Sequence, residues 1–419
     1  MDDSLDDGLL ARCRRVLSPR RMLQRGEVSG ALGDLGTFLP DVVALSSVMG
    51  SALPAASFVF FSGLWNLASG CLFDLPLPIQ PMHTVVAVAL TEGLTYPQLV
   101  ASGLWLGAMF TLLGGSGSVE RARRCIPVCV VRGLQLGLGL KVFSTGAGMA
   151  TREQALLTHS LDGLLAALLS AAVAIALYGD RKRPASLVLF ALGCAGVARA
   201  LPAPPSLGLH SPLAPVPTVD AADWWHALVR AALPQLPVTL LNAVVATAKL
   251  AEDLYPRRDT PSVDAIALSV GLSNLSTAAV GHFPSCHGCG GLAGQHQFGA
   301  RTGSSMALLG LCKMGLAVAL GPAPLLRAFA AFPPAVLGVL LAVGGVELAA
   351  CARDVRGRCG FVIMLIGAGS VLRLGTGAAF VISCTAAAVF RLTGRSLEED
   401  EAGGYEPAAT DPANEPEDG

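Results

Sequence analysis

The sequence predicts an all-α, polytopic membrane protein made of two copies of a seven-element unit, the second inserted upside down and each interrupted by a broken half-helix. Three observations predict it. With 53% hydrophobic and 14% charged residues and a mean hydropathy of +0.59, the chain cannot cover itself with a water-facing polar surface, so lipid must surround it. Gly63-Leu64-Trp65-Asn66-Leu67, nine residues before Pro76, recurs as Gly271-Leu272-Ser273-Asn274-Leu275, nine before Pro284, an offset of 208 in a chain of 419 residues. The apolar stretch 80–92 and a matching one after Pro284 are too short to cross a hydrocarbon core of ~30 Å at ~1.5 Å per residue.

Residues 1–27 carry Arg12, Arg14, Arg15, Arg20, Arg21 and Arg25 but no apolar signal-peptide core, so the first span must direct insertion and this segment should stay in the cytoplasm. Apolar runs follow at 28–49, 54–73, 97–114, 126–149, 155–177 and 185–201, with the first broken element at 80–92; together they make the first repeat, 28–201. The Pro-rich linker 202–231 joins it to the second repeat, 232–392. There the runs are 232–251, 263–281, 303–321 and 324–349, with the second broken element to about 300, and 359–391 is long enough for two short spans turning at Arg373 and Gly375. The acidic tail, 393–419, should be disordered. Eleven Cys lie mostly inside apolar runs, which predicts buried free thiols.

Seven elements per copy is an odd number, so the copies must be inverted about an axis in the membrane plane. Arg121/Arg123/Arg124, Arg181/Lys182/Arg183, Arg257/Arg258, Arg353/Arg356/Arg358 and Arg391/Arg395 then all fall on the side of the basic N-terminal segment, in keeping with the positive-inside rule. Residues 202–217 hold no Lys or Arg and fall on the opposite side.

The chemistry is expected at the broken elements, because internal duplication commonly places a substrate between facing copies. Pro76, Pro78 and Pro81 forbid regular helix until Gln80-Pro81-Met82-His83-Thr84 starts a short one, whose first amides lack partners. In the second element Gly288, Gly290, Gly291 and Gly294 allow close approach of backbone to ligand where another short helix begins. Two facing N-termini, each with roughly half a positive charge, suit a desolvated anion at a depth where bare Arg or Lys is costly.

Several stretches carry a resemblance: Gly33-Asp34-Leu35-Gly36-Thr37-Phe38-Leu39-Pro40, Leu77-Pro78-Ile79-Gln80-Pro81-Met82, Gln235-Leu236-Pro237 with Leu241-Asn242 and Lys249-Leu250, and Cys286-His287-Gly288 through Gly290-Gly291-Leu292-Ala293-Gly294-Gln295 to Phe298-Gly299-Ala300-Arg301-Thr302-Gly303. Over about residues 27 to 350 the chain resembles the molybdate transporter family, a distant branch of the sulfate permeases. The resemblance implies the seven-plus-seven inverted-repeat fold of the sulfate permease and uracil permease type, a core domain moving past a gate domain, and molybdate as substrate, with sulfate as the alternative. Where this family often has Lys after Gln-Pro-Met, this chain has His83, and Cys289 stands where a small residue is usual.

The expected binding residues are Asp34, Thr37, Gln80, Pro81, Met82, His83, Thr84, Asn242, His287, Gly288, Gly290, Gly291 and Gln295. Asp34, Thr37 and Asp41 share one face of the first helix, and Asn242, Ala246 and Lys249 one face of its repeat partner. A carboxylate does not bind a dianion directly, so Asp34 is expected to orient amides or His83, or to carry a proton; Lys249 is expected to pair with Glu252 and Asp253. A second alternative is metal binding through Cys286, His287 and Cys289 with His282 and His296, though the spacing fits no common zinc module. No paired carboxylates, nucleophile elbow or phosphate loop points to an enzyme, and no cofactor is expected. The expected partners are the oxyanion and the lipid bilayer, not nucleic acid, with a homodimer left open; the membrane is the plasma membrane or an internal one such as the vacuole, with both termini cytoplasmic.

Overall fold

The computed structural model describes residues 8–49, 54–178 and 185–397. The hinge at 181–183, the tail from Glu398 and the side chain of Thr84 lie outside that description.

Two short helices, α1 (Leu9–Val16) and α2 (Pro19–Met22), precede the first spanning element, which runs from α3 (Arg25–Ala31) through a 3-10 turn at Leu32–Asp34 into α4 (Leu35–Met49). Next come α5 (Ala55–Phe73), the strand β1 (Ile79–Pro81) leading into half-helix α6 (His83–Glu92), α7 (Tyr96–Gly115), the short α8 (Ser118–Arg123), α9 (Val128–Ala150), α10 (Leu164–Ala176) and α11 (Ala185–Ala200). The second copy starts with one long helix in which α12 (Ala221–Ala227), α13 (Leu233–Val238) and α14 (Thr247–Leu254) are joined by π-helical stretches at Leu228–Ala232 and Thr239–Ala246. Then follow α15 (Val263–Thr277), β2 (Ser285–His287) with half-helix α16 (Cys289–Gln297), α17 (Ser304–Leu320), α18 (Pro322–Ala330), α19 (Pro334–Ala350), α20 (Arg358–Leu374) and α21 (Thr376–Leu392). The order reproduces seven elements per copy.

Local chemistry explains where the elements differ from the apolar runs. The long helix begins at Ala221, within the expected linker, because the Asp220 side chain caps it by accepting from the Asp223 amide at 2.7 Å. The run 155–177 turns helical only at Leu164, after a loop in which the Thr158 amide donates to the Asp162 carbonyl. The run 324–349 is split, because α18 bends away from α17 by 119° and α19 starts afresh after Pro333. Between α20 and α21 the chain turns at Gly375, whose φ of +81° favours glycine.

Helix pairing expresses the inverted symmetry: α5 lies along α17 and α7 along α15, while α9 lies against its own counterpart α19. Small residues permit the approach; a Cβ on Gly310 would stand 2.4 Å from the Gly63 carbonyl oxygen, so these two backbones touch. The pairs α5·α17 and α7·α15 form one body, the expected core, and α9, α10, α19, α20 and α21 pack as a second body where the gate domain is expected.

The basic hinges among the described residues converge on one face. There Asp74, at the end of α5, pairs with Arg21 at 3.0 Å and Arg258 at 2.8 Å, and Arg132 pairs with Asp253 and Asp354. The linker lies at the other end of the core, where the amides of Gly208 and His210 donate to Ala319 and Val318 and that of Ala214 donates to Val280.

Candidate functional site

The two broken elements meet as a small antiparallel sheet. Ile79 faces His287, Gln80 faces Cys286 and Pro81 faces Ser285. At its ends the Met82 amide donates to the Pro284 carbonyl at 2.8 Å and the Gly288 amide to the Pro78 carbonyl at 3.2 Å. Two buried asparagines hold it from behind: Asn66 Oδ1 accepts from the Ile79 amide at 2.6 Å and Asn274 Oδ1 from the Ser285 amide at 2.9 Å.

These bonds fix the equivalence of the copies. The asparagines are 208 residues apart (274 − 66), but Met82 and Gly288 are 206 apart (288 − 82), as are Pro78 and Pro284 (284 − 78). Pro284 is therefore the counterpart of Pro78 and not of Pro76. The register slips by two residues in the loop before the strand.

Each strand feeds a half-helix with no side-chain cap, α6 after Met82 and α16 after Gly288. Their lengths, ten and nine residues, give about 15 and 14 Å, half a bilayer core. The N-terminal amides of both remain available for a ligand.

Between half-helices and gate lies a cavity of about 360 Å³. The core contributes Thr37, Asp41, Gln80, Pro81 and His83 from the first copy and Thr239, Asn242, Cys286, His287, Gly288 and Gly290 from the second; the gate contributes Lys141, Thr145 and Thr376 among others. Asn242 Nδ2 donates to Thr376 Oγ1 across core and gate at 3.2 Å, and His83 Nδ1 stands 2.9 Å from Asp41 Oδ2. Besides Asp41 Oδ2, which has the His83 ring beside it, three buried polar atoms of described cavity residues have no hydrogen-bond partner, Gln235 Oε1, Asn242 Oδ1 and His287 Nδ1. Buried polar atoms rarely stay unpaired.

Asp34 stands behind this wall, fully buried. Its carboxylate accepts from Lys313 Nζ at 3.1 Å and from Gln80 Nε2, which also donates to Thr37 Oγ1. Nζ of Lys313 is 3.5 Å from the centre of the Phe38 ring and 3.4 Å from Ser62 Oγ.

The family model described as "Molybdate transporter of MFS superfamily" matches residues 26–142 and 227–348. The chain belongs to the molybdate transporter family. Across 93% of its length it is 34% identical to Molybdate transporter 2 of Arabidopsis thaliana, covering 91% of that protein. Among solved structures it is similar to the transmembrane domain of a cyanobacterium bicarbonate transporter, BicA, with a TM-score of 0.55 at 16% identity over 85% of this chain and 96% of that one. It is also similar to murine Solute Carrier 26 family member A9, with a TM-score of 0.55 at 12% identity over 88% of this chain and 68% of that one. At such identities the likeness concerns the fold, the inverted repeat of the sulfate permease type.

In this member of the molybdate transporter family the expected binding residues divide into wall and support. Thr37, Gln80, Pro81, His83, Asn242, His287, Gly288 and Gly290 line the cavity. Asp34, Met82, Gly291 and Gln295 are among the buried residues behind it. Asp34 orients the carboxamide of Gln80, not His83. Gln295 accepts from Ser305 Oγ at 3.3 Å and packs on Met306. The glycines serve a neighbour as well as open space: a Cβ on Gly288 would lie 1.7 Å from Gln80 Oε1 and one on Gly291 2.3 Å from its Nε2. Gly290 alone of the three faces room, with Val142 at 3.9 Å.

Lys249 pairs with Asp253 at 2.7 Å and with Glu252 at 3.8 Å, as its spacing predicts. Among the described residues no group of three or more His, Cys, Asp and Glu side chains can hold a metal ion. The cysteine and histidine cluster is dispersed by packing, with His282 edge-on to Phe58, His287 to Phe73 and His296 to Tyr255. Sequence reading missed Lys313, whose signal was available: it is the one charged residue in the apolar run of α17. Lys141 and Thr376 were missed because only packing brings the gate to the cavity.

Proposed function

We propose that this chain carries molybdate across a membrane by alternating access, the tetrahedral dianion sitting in the cavity between the N-termini of α6 and α16. The observation that carries this reading is the meeting of two uncapped half-helices at one cavity, in a member of the molybdate transporter family. Helix-terminal amides offer fixed donors and partial positive charge without the desolvation cost of burying a bare cation. The unpaired atoms of Asn242, Gln235 and His287 supply further capacity, because a carboxamide can turn over and a neutral imidazole can change tautomer to present an N–H. Gln80, Pro81 and the backbone of His83 and Thr84 form one side of the anion site, Gly288 and Gly290 with His287 the other, and Asp34, Met82, Gly291 and Gln295 support it. Release requires the core to move against the gate, breaking contacts such as Asn242 to Thr376.

The cytoplasm is the side of the basic hinges, which puts both termini inside and the linker outside. Labelling of a single cysteine from outside should reach position 208; protection there would reverse the orientation.

The decisive assay is uptake of labelled molybdate by cells lacking other uptake systems, with sulfate in excess as competitor. Saturable uptake that resists sulfate is expected, and equal or better transport of sulfate would reassign the substrate. Gly290→Leu, whose Cβ would meet only Val142 within 4 Å and whose side chain would extend into the cavity, should abolish uptake while the protein still reaches the membrane. Unchanged uptake in that variant would remove the anion from this cavity.

A further inference from the structure

A lysine and an aspartate fully inside an apolar helix bundle need a reason, since charged groups at membrane depth are expensive and ordinarily serve a pathway or a site. Lys313 and Asp34 are 5% and 0% exposed, on helices from opposite copies, and neither lines the cavity. Asp34, which Lys313 holds, in turn holds Gln80, and Gln80 does line it.

The contacts run in one direction. Lys313 Nζ donates to Asp34 Oδ2 at 3.1 Å, leaving Oδ1 to accept from Gln80 Nε2. The other acceptor of Nε2 is Thr37 Oγ1, whose own hydrogen goes to the Asp34 carbonyl at 2.9 Å. Both acceptors therefore demand the nitrogen end of the carboxamide, and the oxygen end is forced toward Gly288. The missing side chains of Gly288 and Gly291 leave the space that this one orientation fills, against the first turn of α16.

We propose that Lys313 is a positioning residue of the anion site: by compensating the Asp34 charge it lets that carboxylate hold Gln80 in a single orientation against the N-terminus of the second half-helix. The inference rests on the reading of the cavity as the oxyanion site. It assigns a role in substrate affinity to a residue that does not touch substrate.

The variants must separate positioning from simple support of the fold. Removing one partner strands a buried charge, so Lys313→Met alone is uninformative. Asp34→Asn with Lys313→Met removes both charges at similar volume. Asp34→Lys with Lys313→Asp keeps an ion pair but sets a donor beside Gln80 Nε2, where only an acceptor fits. Equilibrium binding of molybdate to the full chain in nanodiscs, with thermal unfolding on the same samples, is the readout. Both variants should unfold near the wild-type temperature and bind molybdate about tenfold or more weaker, the value of a charge-assisted hydrogen bond. Adding Gln80→Ala should then weaken binding little further, although Gln80→Ala alone weakens it fully.

Wild-type affinity in the double neutral variant would overturn the proposal, as would full additivity with Gln80→Ala. If the neutral variant does not fold, the charge-reversed pair decides alone: wild-type affinity there makes the pair a structural element only. Gly290→Leu distinguishes the two levels of failure. If it abolishes binding while the paired variants bind normally, the positioning role falls and the site stands; if it too binds normally, the site itself falls.

Discussion

In the first copy the half-site is furnished with side chains whose charges are settled within the protein: Asp34 against Lys313, Gln80 held by Asp34 and Thr37, and His83 beside Asp41. In the second copy the matching positions are stripped. Asn242 stands where the repeat offset places Asp34, Gly288 replaces Met82, and Cys289 replaces His83. The scaffold beneath is the same in both, a strand held by an asparagine and running into an uncapped half-helix. Duplication supplied the symmetric frame, and divergence gave one copy the fixed polar groups and the other the room they occupy. A dianion between them would meet backbone donors from both copies, with side chains already fixed by partners on the first side and the unpaired atoms of Gln235, Asn242 and His287 on the second.

Exchanging what the copies have divided should give the largest effect. Gly288→Ala would place a methyl group 1.7 Å from an oxygen that Asp34 and Thr37 hold in place, so molybdate affinity should fall by ~10- to 100-fold with the fold largely retained. The counterpart change, Met82→Ala, empties a fully buried position and should cost about 2–5 kcal/mol of stability, with less effect on affinity in the protein that remains folded. Binding and thermal unfolding of both in nanodiscs would show it; the same loss of affinity in each would erase the division of labour.

The shared scaffold is not equally loaded. Asn66 accepts one bond from its strand, whereas Asn274 also donates to the Ser285 and Val270 carbonyls at 2.7 Å each. Asn66→Ala should cost about 1–3 kcal/mol for the orphaned amide, and Asn274→Ala about 1 kcal/mol more because a carbonyl loses its partner too. Equal melting temperatures in the two variants would mean that the two bonds Asn274 donates add nothing to the one its oxygen accepts.

The smallest effect is expected at His83, which has Cys289 opposite. Protonating His83 adds positive charge at the cavity beside Asp41, and imidazole titrates in the physiological range. Affinity should therefore rise a few-fold (~2- to 5-fold) as pH falls from 8 to 6, and His83→Gln should flatten that rise, measured as equilibrium binding without a proton gradient. An unchanged profile in His83→Gln would leave the anion to backbone amides.

Much of the site was readable because membrane depth makes polar residues conspicuous. Pro76, Pro78 and Pro81 about the start of one short apolar run, and Gly288, Gly290, Gly291 and Gly294 at and within another, announce interrupted helices, and β1 and β2 form where those elements begin. Asp34 stood out for the same reason. Lys313 carries the same signal, but no local motif accompanies it; its meaning lies in a partner 279 residues away.

By itself the sequence determined the solvent, the duplication, the odd number of elements in each copy and hence the inversion. These follow from composition, internal similarity and the length of chain needed to cross lipid, all of which are local or additive properties. Only the tertiary structure decided the rest. The two-residue slip that makes Pro78 the counterpart of Pro284 is visible only in strand hydrogen bonds, because the loop that absorbs it has no period. Which polar residues face the cavity and which stand behind it depends on how helices packed glycine to glycine are rotated, and that packing puts Thr37 at the wall and Asp34 in the support. The orientation of the Gln80 carboxamide is set by an aspartate and a lysine from different copies, and a relation between residues so distant along the chain exists only once the chain has folded.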